Sequence, residues 1–150
     1  MELTNTQHIA RPRSEVWNAL NDIGILKKCI PGCEALERIS DSELSTRVVL
    51  RIGPVKASFS GKVRFENIVE TERLTLSGEG NGGIAGHARG GADVTLDDDG
   101  DGTLLTYRAR ADVGGKIAQL GARLIQSTSQ KLAAEFFSKF EKEVSGLAVA

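Results

Sequence analysis

An α+β fold is predicted from this sequence: a curved antiparallel sheet of about seven strands around a long C-terminal helix, with two short helices after the first strand. Two patterns carry that expectation. Between Lys116 and Val144 the apolar side chains Ile117, Leu120, Leu124, Leu132, Phe136, Phe140 and Val144, with the Thr128 methyl, recur at steps of three and four. That is the stripe of an amphipathic helix. Between Cys33 and Val113 the period drops to two, with turn residues at short intervals, as in strands with one dry and one wet face joined by hairpins. A helix on the order of 40 Å long needs a broad apolar surface to lie against, and the strands supply it.

Glu2 to Ala10 is expected to form the first strand, with Leu3 and Ile9 set among threonine, asparagine and glutamine. Pro12 ends the extended run and suits a helix entrance. Ser14 to Leu20 is a short helix with Val16, Trp17 and Leu20 inward. Asp22 caps a second through Ile23, Leu26 and Ile30, stopped by Pro31-Gly32. A strand follows from Cys33 to Ile39, with a turn at Ser40-Asp41-Ser42. Leu44, Thr46, Val48, Leu50 and Ile52 then alternate against Ser45, Arg47, Val49 and Arg51. Beyond Gly53-Pro54, Val55, Ala57, Phe59, Gly61, Val63 and Phe65 form the dry side of a long strand with an irregularity at Asn67. Leu74 and Leu76 mark a shorter one. Gly78 to Gly91, GEGNGGIAGHARGG, predicts a hairpin turning near Asn81-Gly82-Gly83 between sharply bending strands. Its small residues also leave room for a ligand or for the helix. Ala92, Val94 and Leu96 resume the alternation, and the acidic run from Asp97 to Gly102 closes another hairpin. The last strand carries Leu105, Tyr107, Ala109, Ala111 and Val113 on one side. Gly114-Gly115 feeds the long helix, and Gly146 stops it.

The chain has 150 residues, the size of one domain (1–150) with a real core. Nineteen basic residues against 20 acidic give a formal charge of -1, which argues against broad nucleic-acid binding. Two cysteines, Cys29 and Cys33, are too few for a disulfide-stapled secreted scaffold. No apolar signal region opens the chain and no apolar run reaches bilayer-spanning length. A cytoplasmic location is the expectation. Ala150 follows the helix closely, so no membrane anchor of the chain's own is expected.

Catalytic patterns do not assemble. Cys29 and Cys33 have a C-x3-C spacing, but His8 and His87 are the only histidines, so buried thiols are expected and no metal site. His87 is the one candidate base, without a G-x-S-x-G elbow to serve, and reads as a strand residue on a glycine-rich edge. No G-x-G-x-x-G joins a strand to a helix in a parallel unit, and no Walker lysine follows. The DDDGDG run lacks the Glu of a calcium loop. Nothing selects a carboxylate pair from Glu66, Glu70 and Glu79. What remains is an apolar space between sheet and helix. Its candidate lining is Leu50, Phe59, Val63, Phe65, Leu76, Ala88, Val94 and Tyr107 from the sheet, with Leu120, Leu124, Thr128 and Leu132 from the helix. Tyr107 is the polar exception, with a hydroxyl to offer a ligand oxygen.

Several stretches together resemble the CoxG family, the G-subunit proteins of carbon monoxide dehydrogenase within the START/SRPBCC superfamily. They are Ser14-Glu15-Val16-Trp17, the run from Leu26 to Glu34 (LKKCIPGCE), the run from Gly53 to Gly61 (GPVKASFSG), Gly83 to Gly90 (GIAGHARG) and Lys116 to Gly121 (KIAQLG). The Val-Trp helix is common in the superfamily, whereas C-I-P-G-C-E combined with the glycine-rich hairpin is far more specific. The resemblance implies a helix-grip fold and a non-catalytic accessory role to a molybdenum hydroxylase of the carbon monoxide dehydrogenase type. It brings in a quinone or lipid as the bound hydrophobic small molecule, no cofactor, and transient contact with the inner face of the membrane. Two other functions compete. One is a docking or maturation module that meets an enzyme through Lys27, Lys28, Pro31 and Gly32. The other is a small cyclase- or hydratase-like enzyme, which requires His87, Tyr107 or an acid to face the cavity.

Overall fold

The computed structural model describes residues 1–146. Its strands are β1 (Glu2–Ile9), β2 (Cys33–Ser40), β3 (Glu43–Ile52), β4 (Val55–Val69), β5 (Arg73–Asn81), β6 (His87–Asp99) and β7 (Gly102–Gly114). They form one antiparallel sheet in the order β1-β7-β6-β5-β4-β3-β2. From β2 to β7 the chain meanders by hairpins, and β1 closes the far side by pairing with β7, Glu2 opposite Arg110 through Ile9 opposite Thr103. Helices α1 (Arg13–Leu20) and α2 (Ile23–Cys29) carry the chain between the two sheet edges. The Asp22 side chain caps α2 by accepting from the Ile25 N–H at 3.2 Å.

The predicted alternation is the observed one. Leu44, Phe65, Leu74, Val94 and Leu105 point inward and join Val16, Trp17, Leu20, Leu26, Phe140 and Val144 in the main core. Strong curvature comes from β4 to β7, where a methyl on Gly61 would collide with the Glu79 carbonyl oxygen and one on Gly90 with that of Arg110. The irregularity expected at Asn67 is real: its φ is 51° and the β4–β5 register shifts between Glu66 and Val69.

The long helix needs a correction. It starts at Ala122, as α3 (Ala122–Gly146), not at Lys116. Gly115–Leu120 is a separate 3₁₀ segment, and Gly121 between them has a φ of 96°. That left-handed backbone breaks the helical hydrogen-bond ladder, and apolar spacing alone does not register it. Ile117, 1 % exposed, therefore leaves the helix stripe and packs in a second small cluster with Ala57, Phe59 and Ala85.

Burial along α3 is uneven. Phe140 and Val144, near its C-terminus, are fully buried. Leu124, Thr128, Leu132 and Phe136 face the same way but are only half-buried. The helix is pinned at one end, where α1 and α2 fill the wedge, and stands off the sheet towards the other.

Candidate ligand chamber

The space under α3 divides into two adjoining apolar chambers. The larger, about 390 Å³, is bounded by β2 to β7, by Leu20, Leu26 and Ile30 of the short-helix segment, and by Ala133, Phe136 and Phe137 of α3. A volume of that size falls in the range of small-molecule sites. Its wall is aliphatic and aromatic, and among the described residues Thr46 and Tyr107 bring its only polar side-chain groups. Thr46 already donates to the Ala35 carbonyl at 3.1 Å. The smaller chamber, about 270 Å³, lies between β3 to β7 and the N-terminal half of α3, with Ile117 and Ile125 in its wall. Val48 lines both chambers and separates them.

Of the residues expected to line a cavity, Val63, Phe65, Leu76, Val94 and Tyr107 border the larger chamber. Leu50, Phe59, Ala88, Thr128 and Leu132 border the smaller one. Leu120 and Leu124 border neither: Leu120 belongs to the 3₁₀ segment, and Leu124 lies against Gly53 in the β3–β4 turn. Sequence reasoning missed Phe137. Its ring stacks on Tyr107 with centroids 4.3 Å apart and planes 10° from parallel, while Phe136 meets it edge-on at 4.9 Å. Adjacent phenylalanines were the available signal, because they widen a helix stripe beyond one row. Leu20, Leu26, Leu36 and Leu44 were also missed as lining. Their apolarity was evident, but not that they close the chamber's end.

Lys27 and Lys28 are exposed on α2, with Lys28 3.9 Å from Glu143 on α3. Gly32 has a structural duty: its φ is 72°, its carbonyl accepts from the Val49 N–H at 2.9 Å, and a methyl there would strike the Val49 carbonyl. The Pro31-Gly32 turn thereby seats α2 against β3. His87 is exposed at the start of β6, outside both chamber walls, where its ring covers Gly114. Among the described residues no group of three or more His, Cys, Asp or Glu is arranged to hold a metal ion. No helix among them is long and apolar enough to cross a membrane.

Burial pushes the Tyr107 phenol above its usual value of 10.0, and hydrogen bonding with the Asn5 side chain offsets part of the rise. Burial, and then the Glu143 charge, also raise the Cys29 thiol above 9.0, against Lys139 and Lys28. Both groups are therefore neutral at pH 7. A raised folded pKa holds its full stabilising contribution below the unfolded value and loses it as pH climbs through the folded one. Stability should thus be flat through neutrality with respect to these groups and decline from about pH 9 upward. Tyr107 is the single tyrosine, so a phenolate absorbance titration checks this directly. A midpoint at or below that of free tyrosine would contradict the buried ring.

The geometry defines a START/SRPBCC-like helix-grip protein, a curved sheet with an apolar space under its C-terminal helix. The family model for the carbon monoxide dehydrogenase G-subunit (CoxG) matches residues 6–145. The chain belongs to that family. Among solved structures, it is similar to a conserved protein from Geobacillus kaustophilus, with 29% identity over 97% of this chain and 96% of that one and a TM-score of 0.91. A START superfamily protein from Mycobacterium smegmatis shares the fold at 13% identity, covering 97% of this chain and 98% of that one, with a TM-score of 0.74. The Zhui aromatase/cyclase from Streptomyces sp. R1128 does so at 9% identity, covering 97% and 93%, with a TM-score of 0.67. These two show the fold alone. No curated protein matches the sequence.

Proposed function

We propose that this protein is a non-catalytic accessory protein that holds a hydrophobic molecule, such as a quinone or lipid, for a molybdenum hydroxylase of the carbon monoxide dehydrogenase type. One observation carries the ligand half: a chamber of about 390 Å³ whose wall, among the described residues, offers only Thr46 and Tyr107 as polar side chains. Such a wall rejects charged and sugar-like molecules, because their polar groups would lose water without gaining partners. It accepts rings and isoprenoid or acyl chains. Tyr107, neutral and aromatic, can stack on a ring or share its hydroxyl with a carbonyl oxygen. The partner half, and with it a location on the cytoplasmic side of the membrane, rests on family membership.

The test is to purify the protein from its own host under native conditions, extract it with organic solvent and identify what co-purifies. A quinone or lipid in stoichiometric amount supports the reading. An empty protein that still captures an oxidase complex would replace it with the docking reading, in which exposed Lys27 and Lys28 beside the Pro31-Gly32 turn form the contact.

A further inference from the structure

The near-neutral total hides a strongly polar arrangement of charge along the sheet. One end of the molecule is built by the β3–β4 turn, the β5–β6 loop, the 3₁₀ segment Gly115–Leu120 and the start of α3. Residues 49–58, 80–88 and 113–124, which supply it, contain no Asp or Glu. Arg51 and Lys56 face each other across the β3–β4 hairpin, Lys116 is the second residue of the 3₁₀ segment and Arg123 sits in the first turn of α3. All four are exposed, and among the described residues none has a carboxylate within 4.0 Å. The N-terminus of α3 adds its partial positive charge at the same end. At the opposite end the hairpins carry Asp41, Glu70, Glu72, Asp97, Asp98, Asp99 and Asp101.

At the basic end, Ile84 is 94% exposed, against 52% for Ile39 and 51% for Ile68 at the acidic end. Its exposure is enforced. The Gly82 N–H donates to the Gly86 carbonyl at 2.8 Å, the Gly83 N–H to Asn81 Oδ1 at 2.8 Å, and Ala85 is buried in the cluster with Ile117. A tightly bonded loop with one residue tucked under holds its neighbouring isoleucine outward. The smaller chamber lies directly behind, since Ile52 and Ile117 are in its wall.

We propose that this end docks on an anionic lipid surface, with Ile84 entering the headgroup–acyl boundary and Arg51, Lys56, Lys116 and Arg123 resting on the headgroups. A single protruding isoleucine amid separated cations fits a bilayer, which deforms around a wedge. A protein partner would need carboxylates placed one by one opposite these separated cations, whereas an anionic bilayer presents its charge continuously. The acidic hairpins point away and fix the orientation. The dock gives a membrane-dissolved ligand a short route to the chambers. In that respect it rests on the ligand reading, but the docking itself is testable without any ligand.

The experiment is vesicle co-sedimentation with phosphatidylcholine alone and with about 30 mol % phosphatidylglycerol, a strongly anionic surface. The protein should bind the anionic vesicles and be released by salt. Ile84→Glu and the pair Arg51→Glu/Lys56→Glu should each lower partitioning by about tenfold or more. Asp101→Lys, at the far end, should not weaken it. All these side chains are exposed, and thermal melts confirm that each variant is folded. Indifference to anionic vesicles overturns the proposal, as does equal binding by the tip variants. Tip variants that lose capture of an oxidase complex while still binding vesicles overturn it in favour of a protein dock. Binding of detergent-dispersed quinone by the same variants tests the ligand reading separately, and should be unchanged.

Discussion

Ala133→Phe should abolish binding of the hydrophobic ligand and leave the protein folded. Ala133 lies on the inward face of α3 and borders the larger chamber between Phe136 and Phe137 on the helix and Tyr107 on the sheet. A benzyl group there occupies the space that a ligand ring would take. Adding bulk to a filled core usually costs about 1–3 kcal/mol of strain, but here the new ring enters a void and gains contacts of its own. Affinity for a quinone or fatty-acyl probe should fall at least about 100-fold, roughly 2.7 kcal/mol, with a small change in thermal midpoint. Ala134→Phe is the matched control, since Ala134 is the neighbour on the same turn and lines neither chamber. A fluorescence displacement titration reads the difference. Undiminished affinity in a folded Ala133→Phe variant would move the ligand out of this chamber.

The second large effect concerns stability. Phe140 is fully buried and stacks on Phe136, with centroids 5.9 Å apart. Truncating it to alanine should cost about 3–5 kcal/mol, because the rigid wedge of α1, α2 and sheet cannot collapse into the hole. Leu132→Ala, two turns earlier, should cost clearly less, since Leu132 already faces empty space and is half-buried. Urea denaturation of the two variants measures this. A larger loss for Leu132→Ala would mean that α3 is anchored at its other end and that the chambers are better filled than their volumes suggest.

Legibility in the sequence followed the physics of each element. Strands β3, β4, β6 and β7 could be read because a face that is wet outside and dry inside forces alternation residue by residue. β1 was harder, since Asn5 and Gln7 stand at positions where an inward apolar residue was expected. The start of α3 was misplaced because Ile117 and Leu120 keep helical spacing with Leu124, while the break at Gly121 lies in a backbone angle. The two chambers were half visible. Phe59, Val63 and Tyr107 declared themselves by alternation, but a void is a relation between elements. Whether Leu26 or Phe137 meets it depends on how α2 and α3 are tilted, and no spacing within one segment encodes that tilt.

The pairing of β1 with β7 has a consequence for how the chain is made. Met1 and Ala111 are joined by backbone hydrogen bonds across 110 residues, so β1 is made well before β7, the last strand of the sheet and its only neighbour. Until β7 emerges, the meander presents its inner face with neither the closing strand nor α3 to cover it. Contacts this distant slow folding and lengthen the interval in which apolar surface is open. The polar make-up of β1, rich in threonine, asparagine and glutamine, then has a purpose of its own. A waiting strand of that composition is a poor seed for pairing with other chains during the interval before β7 is made.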